Sequence, residues 1–491
     1  MAAPDSQAYR TQQYIGGQWR PGKSSRTLEV KDPYTHEVVT SFQIATKEDV
    51  DEAYKTASEA QTAWANTPPQ VRRAVFEKAW QWVDTHFDEI VDILTREGGS
   101  TFLKAAFEIS LVSDFLRSAA ALTMSPVGTL LPSPEAEKEN RLYYEPVGVV
   151  SVISPFNAPF FLSLRPTAPA LALGNAVVLK PHELTPMASG TLLARMFEAA
   201  GLPAGLLNVI VTDIEEVGDA FIEHPVPQVI SFTGSAPTGK HIAEVGGRHL
   251  KKVISELGGN SAFVVLEDAD VELAVNAAVF SRFTHQGQIC MSANRVIVHE
   301  NVYDEFLKRY TEKVATLPVG DPRDKKTIIG PLIEPKQAEL LEKQVAEAIE
   351  NGAQLTLEAK PREAGSGLCA PVVLTNVTPE NPASQVEFFG PVVVFMKCKN
   401  DAEAVQLANA TPYGLSGAVH SKNIDRATQV AKQIHTGMIH VNNGTIADEA
   451  AVPFGGIGDS GIGRLNGEAS LQAFTRTKWV SVHHGTPKFP Y

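Results

Sequence analysis

From Val147 onward the chain alternates short runs of β-branched residues with helix-like stretches, and no other feature restricts the fold so tightly. VGVVSVIS, NAVVLK, NVIVT and QVISFTG have the length and the Val/Ile content of strands. Between them lie stretches such as PMASGTLLARMFEAAG, which ends at the capping Gly201. This alternation specifies an α/β fold, a parallel sheet with helices on both faces. A second α/β pattern follows the Gly258-Gly259-Asn260 turn. It includes a helix with Leu341, Val345 and Ile349 on one face and Gly352 at its end. Residues 1–135 read as mainly helical after a short strand-rich start. There Thr46-Lys47-Glu48-Asp49 resembles a capping box, and Val50, Ala53, Tyr54, Ala57, Ala60 and Trp64 follow at helical spacing. The Pro- and Glu-rich stretch 125–140 reads as a connector or exposed arm. The tail TRTKWVSVHH alternates like a strand that pairs with another segment or with a second subunit.

The 491 residues exceed what one compact core organises, so two or three domains are expected. Lys and Arg number 43 against 56 Asp and Glu, a net charge of −13, with no long basic block. That balance argues against nucleic acid or an anionic membrane as partner. Cys290, Cys369 and Cys398 are too few for a disulfide framework or a Cys-rich zinc site, and read as thiols in a reducing compartment. The start lacks an apolar leader core, and nowhere do 18 apolar residues run together. Neither H-E-x-x-H nor C-x-x-C occurs, so no metal is expected. These features describe a soluble, cytoplasmic protein.

Ligands of such sheets bind beyond the carboxyl ends of the strands. After NAVVL comes Lys180-Pro181-His182-Glu183, a cation and a carboxylate three residues apart. After QVISF comes Thr233-Gly234-Ser235, leading into a helix near Pro237. It is either an ordinary turn or a phosphate cradle. There is no G-x-G-x-x-G, because four residues separate Gly234 from Gly239. Cys290, in HQGQICMS, is either a nucleophile or a buried structural thiol. His285 lies five residues earlier, a spacing that on a helix turns the two side chains apart, and it reads as a packed or solvated helix histidine. Glu256 in ISELGGN reads as a strand-end carboxylate.

Taken together, FTGS at 232–235, ELGGN at 256–260, GQIC at 287–290, EFFGP at 387–391, TPYGLS at 411–416 and PFGGIGDSGIGR at 453–464 form one ordered series. The series resembles the aldehyde dehydrogenase superfamily over nearly the whole chain. The resemblance implies a Rossmann-type cofactor domain (1–124 and 148–257) and an α/β catalytic domain (258–470). It also implies a bridging oligomerisation arm (125–147 and 471–491), in a homodimer or homotetramer. It implies that Cys290 attacks an aldehyde, that Asn157 and the Cys290 backbone N–H hold the oxyanion, and that Glu256 is the general base. NAD is the implied cofactor: Lys180 and Glu183 take the adenosine ribose, Gly234 and Ser235 the pyrophosphate, and Glu387 the nicotinamide ribose. Ile153, Ser154, Phe156, Leu257 and Phe389 complete that site. A carboxylate at Glu183 would repel a 2′-phosphate, favouring NAD over NADP.

The segments FNAP and NNGTIADEAAVPFGG resemble the benzaldehyde, salicylaldehyde and vanillin dehydrogenase branch, so an aromatic aldehyde is the expected substrate. Ala158, Leu162, Arg165, Ile289, Met291 and Phe454 are the expected substrate pocket. Arg165 either meets the substrate, by contact with a phenolate or stacking on a ring, or forms a salt bridge on a helix surface. The alternatives are an aliphatic aldehyde or semialdehyde as substrate, and transfer of the acyl group to coenzyme A. Glu256 speaks against the last, because a water-activating base wastes the thioester.

Overall fold

A computed structural model describes residues 7–358 and 365–491. In it the four Val/Ile runs and a fifth strand become β1 (Val149–Ile153), β2 (Ala176–Lys180), β3 (Leu207–Val209), β4 (Val229–Thr233) and β5 (Lys252–Glu256). All five are parallel, in the order β3-β2-β1-β4-β5. Every residue of β2 and β3 is buried, which is why these runs are continuously apolar rather than alternating. The order reverses between β1 and β4, and a crevice opens at such a reversal. Three further strands extend this sheet through antiparallel pairing: Gln13–Ile15 beside β3, Gln18–Arg20 beside Gln13–Ile15, and Gly461–Ile462 beside β5. The last pairs Glu256 with Gly461, so the far end of the chain covers the β5 edge.

The helix Lys47–Ala65 starts as its sequence predicts, the Thr46 N–H donating to Asp49 Oδ2 at 2.9 Å. It buries Val50, Ala53, Tyr54, Ala57 and Trp64, with Ala60 half-buried at the margin. Further on, α1 (Phe102–Leu122) packs against α2 (Pro159–Ala172). Every residue of α2 is buried, including two internal prolines and Arg165.

The second sheet holds β6 (Ser261–Val265), β7 (Ala293–His299), β8 (Val372–Thr375), β9 (Val392–Cys398) and β10 (Gly417–His420), parallel in the order β8-β9-β7-β6-β10. The helix Pro335–Glu350 covers it with part of the expected face: Leu341 is buried and Val345 packs against the core. The helix also buries Ala338 and Ala348, while Ile349 is 40% exposed. At 100° per residue Ala348 lies within about 20° of Leu341 and Ile349 about 80° away, so Leu341 and two small alanines set the buried side and Ile349 falls at its margin.

The stretch 125–140 differs from the expected connector. Gly128–Leu131 and Lys138–Pro146 are strands, and the tail Thr475–His483 pairs antiparallel with the latter from Thr475↔Pro146 to His483↔Lys138. Mixed polar and apolar residues hide these strands from a hydrophobicity pattern, because neither face is deeply buried. Val127, Leu130 and Trp479, in or beside this sheet, are 76%, 72% and 64% exposed. Among the described residues no helix is long and apolar enough to cross a membrane.

Candidate active site

The carboxyl ends of β1, β2, β4 and β5 surround a cavity of about 550 Å³. Ile153 and Ser154 reach it from β1, Lys180 and Glu183 from β2, Gly234 and Ser235 from β4, and Leu257 from β5. Glu387 and Phe389 enter from the second sheet's side, and Phe156 from the loop after β1. All ten residues expected at the cofactor therefore line one space.

Local chemistry explains each placement. Ser235 caps the 13-residue helix α3 (Ala236–Arg248), its hydroxyl accepting from the Thr238 N–H at 3.4 Å. The amino end of α3 thus faces the cavity, an arrangement suited to an anion. A side chain at Gly234 would collide with the Phe232 ring, so this turn requires glycine. The Lys180 ammonium donates to Glu183 Oε2 at 3.2 Å. Burial raises the Glu183 carboxyl, but the Lys180 charge, together with His182 beside it and neighbouring hydrogen bonds, outweighs burial and holds the group below the ordinary carboxylate value. The Phe156 ring meets Phe389 edge-on at 5.8 Å and His182 at 5.2 Å. His182 also lines the cavity, and burial keeps its imidazole neutral by pushing it down to about 4. Sequence reading noted His182 only as a neighbour of Lys180, because a histidine between two charged residues carries no signal of its own.

A buried arginine positions Glu387 and Phe389. Arg282 donates to the Phe388 and Gly390 carbonyls and, at 2.7 Å, to Asn294 Oδ1. Asn294 Oδ1 also accepts from the Phe388 N–H at 3.1 Å, and its amide donates to the Gly259 carbonyl at 3.1 Å. Glu387 Oε1 in turn accepts from the Gly259 N–H at 2.9 Å. A methyl group at Gly258 would strike the Glu387 carboxylate, and one at Gly259 the Cys290 carbonyl. The paired glycines after Glu256 are therefore what lets three motifs converge. Burial raises Glu387 to about 7.

Cys290, Glu256 and Asn157 line the same cavity. Cys290 does not follow a helix: His285 and Gln286 adopt left-handed φ of 52° and 56°, and Gly287 of 79°. Gln286 anchors this strained turn by donating its amide to the Gly99 carbonyl at 3.1 Å and the Pro331 carbonyl at 2.8 Å. The helix expected around His285 ends at Phe283, and His285 is buried, held well below its usual value by burial and then by the Lys104 charge. Asn157 Nδ2 donates one hydrogen to the Gln288 carbonyl at 2.8 Å, leaving its second for a ligand. Glu256 is 4% exposed, neither oxygen has a hydrogen-bond partner in the protein, and burial raises its carboxyl to about 8. Burial also pushes the half-buried Cys290 thiol up to about 12. A thiol that holds its proton so firmly can act as a nucleophile only with a base to take that proton, and Glu256, in the same cavity wall, is raised into the range that suits one.

A narrower cavity of about 50 Å³ shares Asn157 and Cys290 with the first. Ala158, Leu162, Arg165, Ile289 and Met291 line it, with Phe161, Ile446 and Asp448. Arg165 pairs with Asp448, each side chain 3% exposed. The guanidinium lies over Phe454 at 3.9 Å and near Phe161 at 4.9 Å; Phe454, expected in the pocket, is not among the residues lining the cavity and meets it only through Arg165. The salt bridge expected on a helix surface is thus present but inside the cavity wall, because α2 has no surface to offer. A cation on a wholly buried helix requires a buried anion. Asp448 lies in the segment NNGTIADEAAVPFGG yet escaped notice, because a lone aspartate in a loop reads as solvated.

The sequence matches the model of the aldehyde dehydrogenase family over residues 19–480. It is 55% identical over 479 residues to a benzaldehyde dehydrogenase of Bacillus subtilis (strain 168), covering 98% of each chain. The fold overlays that of a salicylaldehyde dehydrogenase from Pseudomonas putida G7, solved with salicylaldehyde, at a TM-score of 0.95 and 34% identity, covering 98% of this chain and 99% of that one. It overlays an NAD-dependent benzaldehyde dehydrogenase from Corynebacterium glutamicum at a TM-score of 0.90 and 41% identity, covering 98% of each. The ordered motifs, the two sheets and the cavity between them have one common explanation: this chain belongs to the aldehyde dehydrogenase family.

Proposed function

We propose that this enzyme oxidises aromatic aldehydes to carboxylic acids with NAD, through a thioester on Cys290. The observation that carries the reading is that one thiol, Cys290, lies in the wall of both cavities. Glu256 takes the Cys290 proton as Sγ bonds to the aldehyde carbon, and the carbonyl oxygen becomes an oxyanion. The free Asn157 N–H and the Cys290 backbone N–H receive that charge. The dinucleotide, when bound, supplies the hydride acceptor that makes the thioester. Glu256 passes its first proton to solvent and then draws one from the water that attacks the thioester carbon; the C–S bond breaks, the second proton goes from Glu256 to the Cys290 sulfur, and the acid leaves.

The cradle fits NAD: an amino-terminal helix end for pyrophosphate, a Lys180–Glu183 pair for the ribose, and Glu387 for the second ribose. The ionised Glu183 disfavours a 2′-phosphate, and a relative named NAD-dependent shares the fold. In the narrow cavity both lining cations are already paired, Arg165 with Asp448 and Lys104 with Glu108. Neither is free for a substrate carboxylate, which favours an uncharged ring over a semialdehyde acid. The cofactor unit is assigned to 1–124 and 148–257 and the catalytic unit to 258–470. The three-stranded sheet is assigned to self-association as a homo-oligomer. Three cysteines outside any disulfide fit a cytoplasmic setting.

Initial-rate measurement of NADH formation tests the reading across benzaldehyde, vanillin, salicylaldehyde, hexanal, acetaldehyde and succinic semialdehyde, with NADP and with added coenzyme A in parallel. Higher kcat/KM for ring aldehydes with NAD, and free acid as product whether or not coenzyme A is present, are expected. Equal or better kcat/KM for acetaldehyde overturns the aromatic assignment.

A further inference from the structure

Arg165 brings a full positive charge into the wall beside Cys290, and Asp448 brings a negative charge that answers it. Both are buried, and both line the narrow cavity with the thiol. Asp448 is itself held, its Oδ1 accepting from Asn466 Nδ2 at 2.8 Å. Burial raises the Asp448 carboxyl above its ordinary value, and the Arg165 charge with hydrogen bonds from Asn466 and Arg165 offsets part of that rise. Phe454 and Phe161 flank the guanidinium, so water does not screen it as it would on a surface.

The other charged groups around the thiol are accounted for. Lys104 and Glu108 on α1 are paired at 2.6 Å. Glu256 comes from β5, Glu387 from the loop before β9, and Arg464 from the loop after Gly461–Ile462, where it bonds the Gly456 and Gly463 carbonyls. His285 is buried and neutral. Arg165 draws both the Cys290 thiol and Glu256 towards their charged forms, and Asp448 pushes both the other way.

We propose that Asp448 is a positioning residue: by holding and cancelling Arg165 it stops that cation from easing proton loss at Cys290, and so adds to burial in leaving the proton for Glu256 to remove. The inference rests on the reading of Cys290 as nucleophile. Arg165 alone would make the thiol easier to ionise, enlarging the small thiolate fraction open to oxidation and alkylation and weakening the nucleophile as its proton affinity falls. The neutral pair instead couples nucleophile formation to the base.

The test is the pH dependence of iodoacetamide alkylation at Cys290, located by mass spectrometry on full-length protein, for wild type, Asp448→Asn, Asp448→Glu, Arg165→Gln and the Arg165→Gln/Asp448→Asn double variant. Asp448→Asn is expected to move the midpoint down by about one pH unit, which is about tenfold faster alkylation below both midpoints. Asp448→Glu and the double variant are expected to return it towards wild type, because each removes the unbalanced charge. An unmoved midpoint in Asp448→Asn, or a double variant shifted as far as the single, overturns the proposal. Should Asp448→Asn fail to fold, Arg165→Gln must raise the midpoint, and a fall or no change is equally fatal. The catalytic reading is judged separately: turnover surviving in Cys290→Ser defeats the nucleophile assignment without touching the alkylation profile.

Discussion

At the scale of single residues, three environments differ sharply although they share one cavity. Glu256 has no hydrogen-bond partner in the protein and is raised to about 8, whereas Glu183 is held down by Lys180. A base works only when deprotonated, so kcat/KM should fall as pH drops through about 8, and Glu256→Gln should abolish that limb while lowering kcat by about 10²- to 10⁴-fold. A pH–rate profile of both proteins decides it; an unchanged limb in Glu256→Gln would assign it elsewhere. Asn157→Ala should cost about 10²- to 10³-fold in kcat with little change in KM, read from steady-state kinetics. Glu183→Gln should raise the NADP-to-NAD ratio of kcat/KM by about tenfold, since one removed repulsion is of order 1.4 kcal/mol. An unaltered ratio removes Glu183 from the ribose site. These residues were legible in the sequence because each sits in a short motif at a strand end. Asp448 and His182 were not, because their meaning comes from partners distant in the chain.

Among the elements, α2 carries the most. Its first turn is held by Glu108, whose Oε1 accepts from the Phe160 and Phe161 N–H groups at 2.8 and 3.1 Å, and Glu108 in turn is paired with Lys104. Glu108→Ala would leave Lys104 buried with only the Ser100 hydroxyl and no counter-charge, at a cost of about 3–5 kcal/mol, so a clear loss in the urea midpoint is expected. Loss of activity should accompany it, since Asn157 and Arg165 flank the same turn. Strands β1 to β5 could be read from sequence because burial on two faces leaves long Val/Ile runs. The strands at 128–131 and 138–146 could not, since exposure on both faces removes the pattern. The turn at His285–Gln286 was equally invisible: nothing in those residue types announces a left-handed backbone, which tertiary hydrogen bonds from Gln286 impose.

For the whole molecule, the three-stranded sheet leaves Val127, Leu130 and Trp479 largely exposed, a patch that a second copy would cover. The double change Leu130→Glu/Trp479→Glu should shift sedimentation towards the monomer, and an unchanged sedimentation coefficient would refute the assignment to self-association. The two-sheet architecture was evident from strand alternation, but the closing of the first sheet by its last strand was not. Gly461 pairs with Glu256, and the Leu257 N–H donates to the Ser460 carbonyl at 3.0 Å. The strand that carries the base therefore stays an open sheet edge during synthesis until a segment some two hundred residues downstream has left the ribosome. A nascent or prematurely stopped chain then leaves Glu256 unseated, so a product that ends before Gly461 is expected to be inert towards aldehydes rather than partly active.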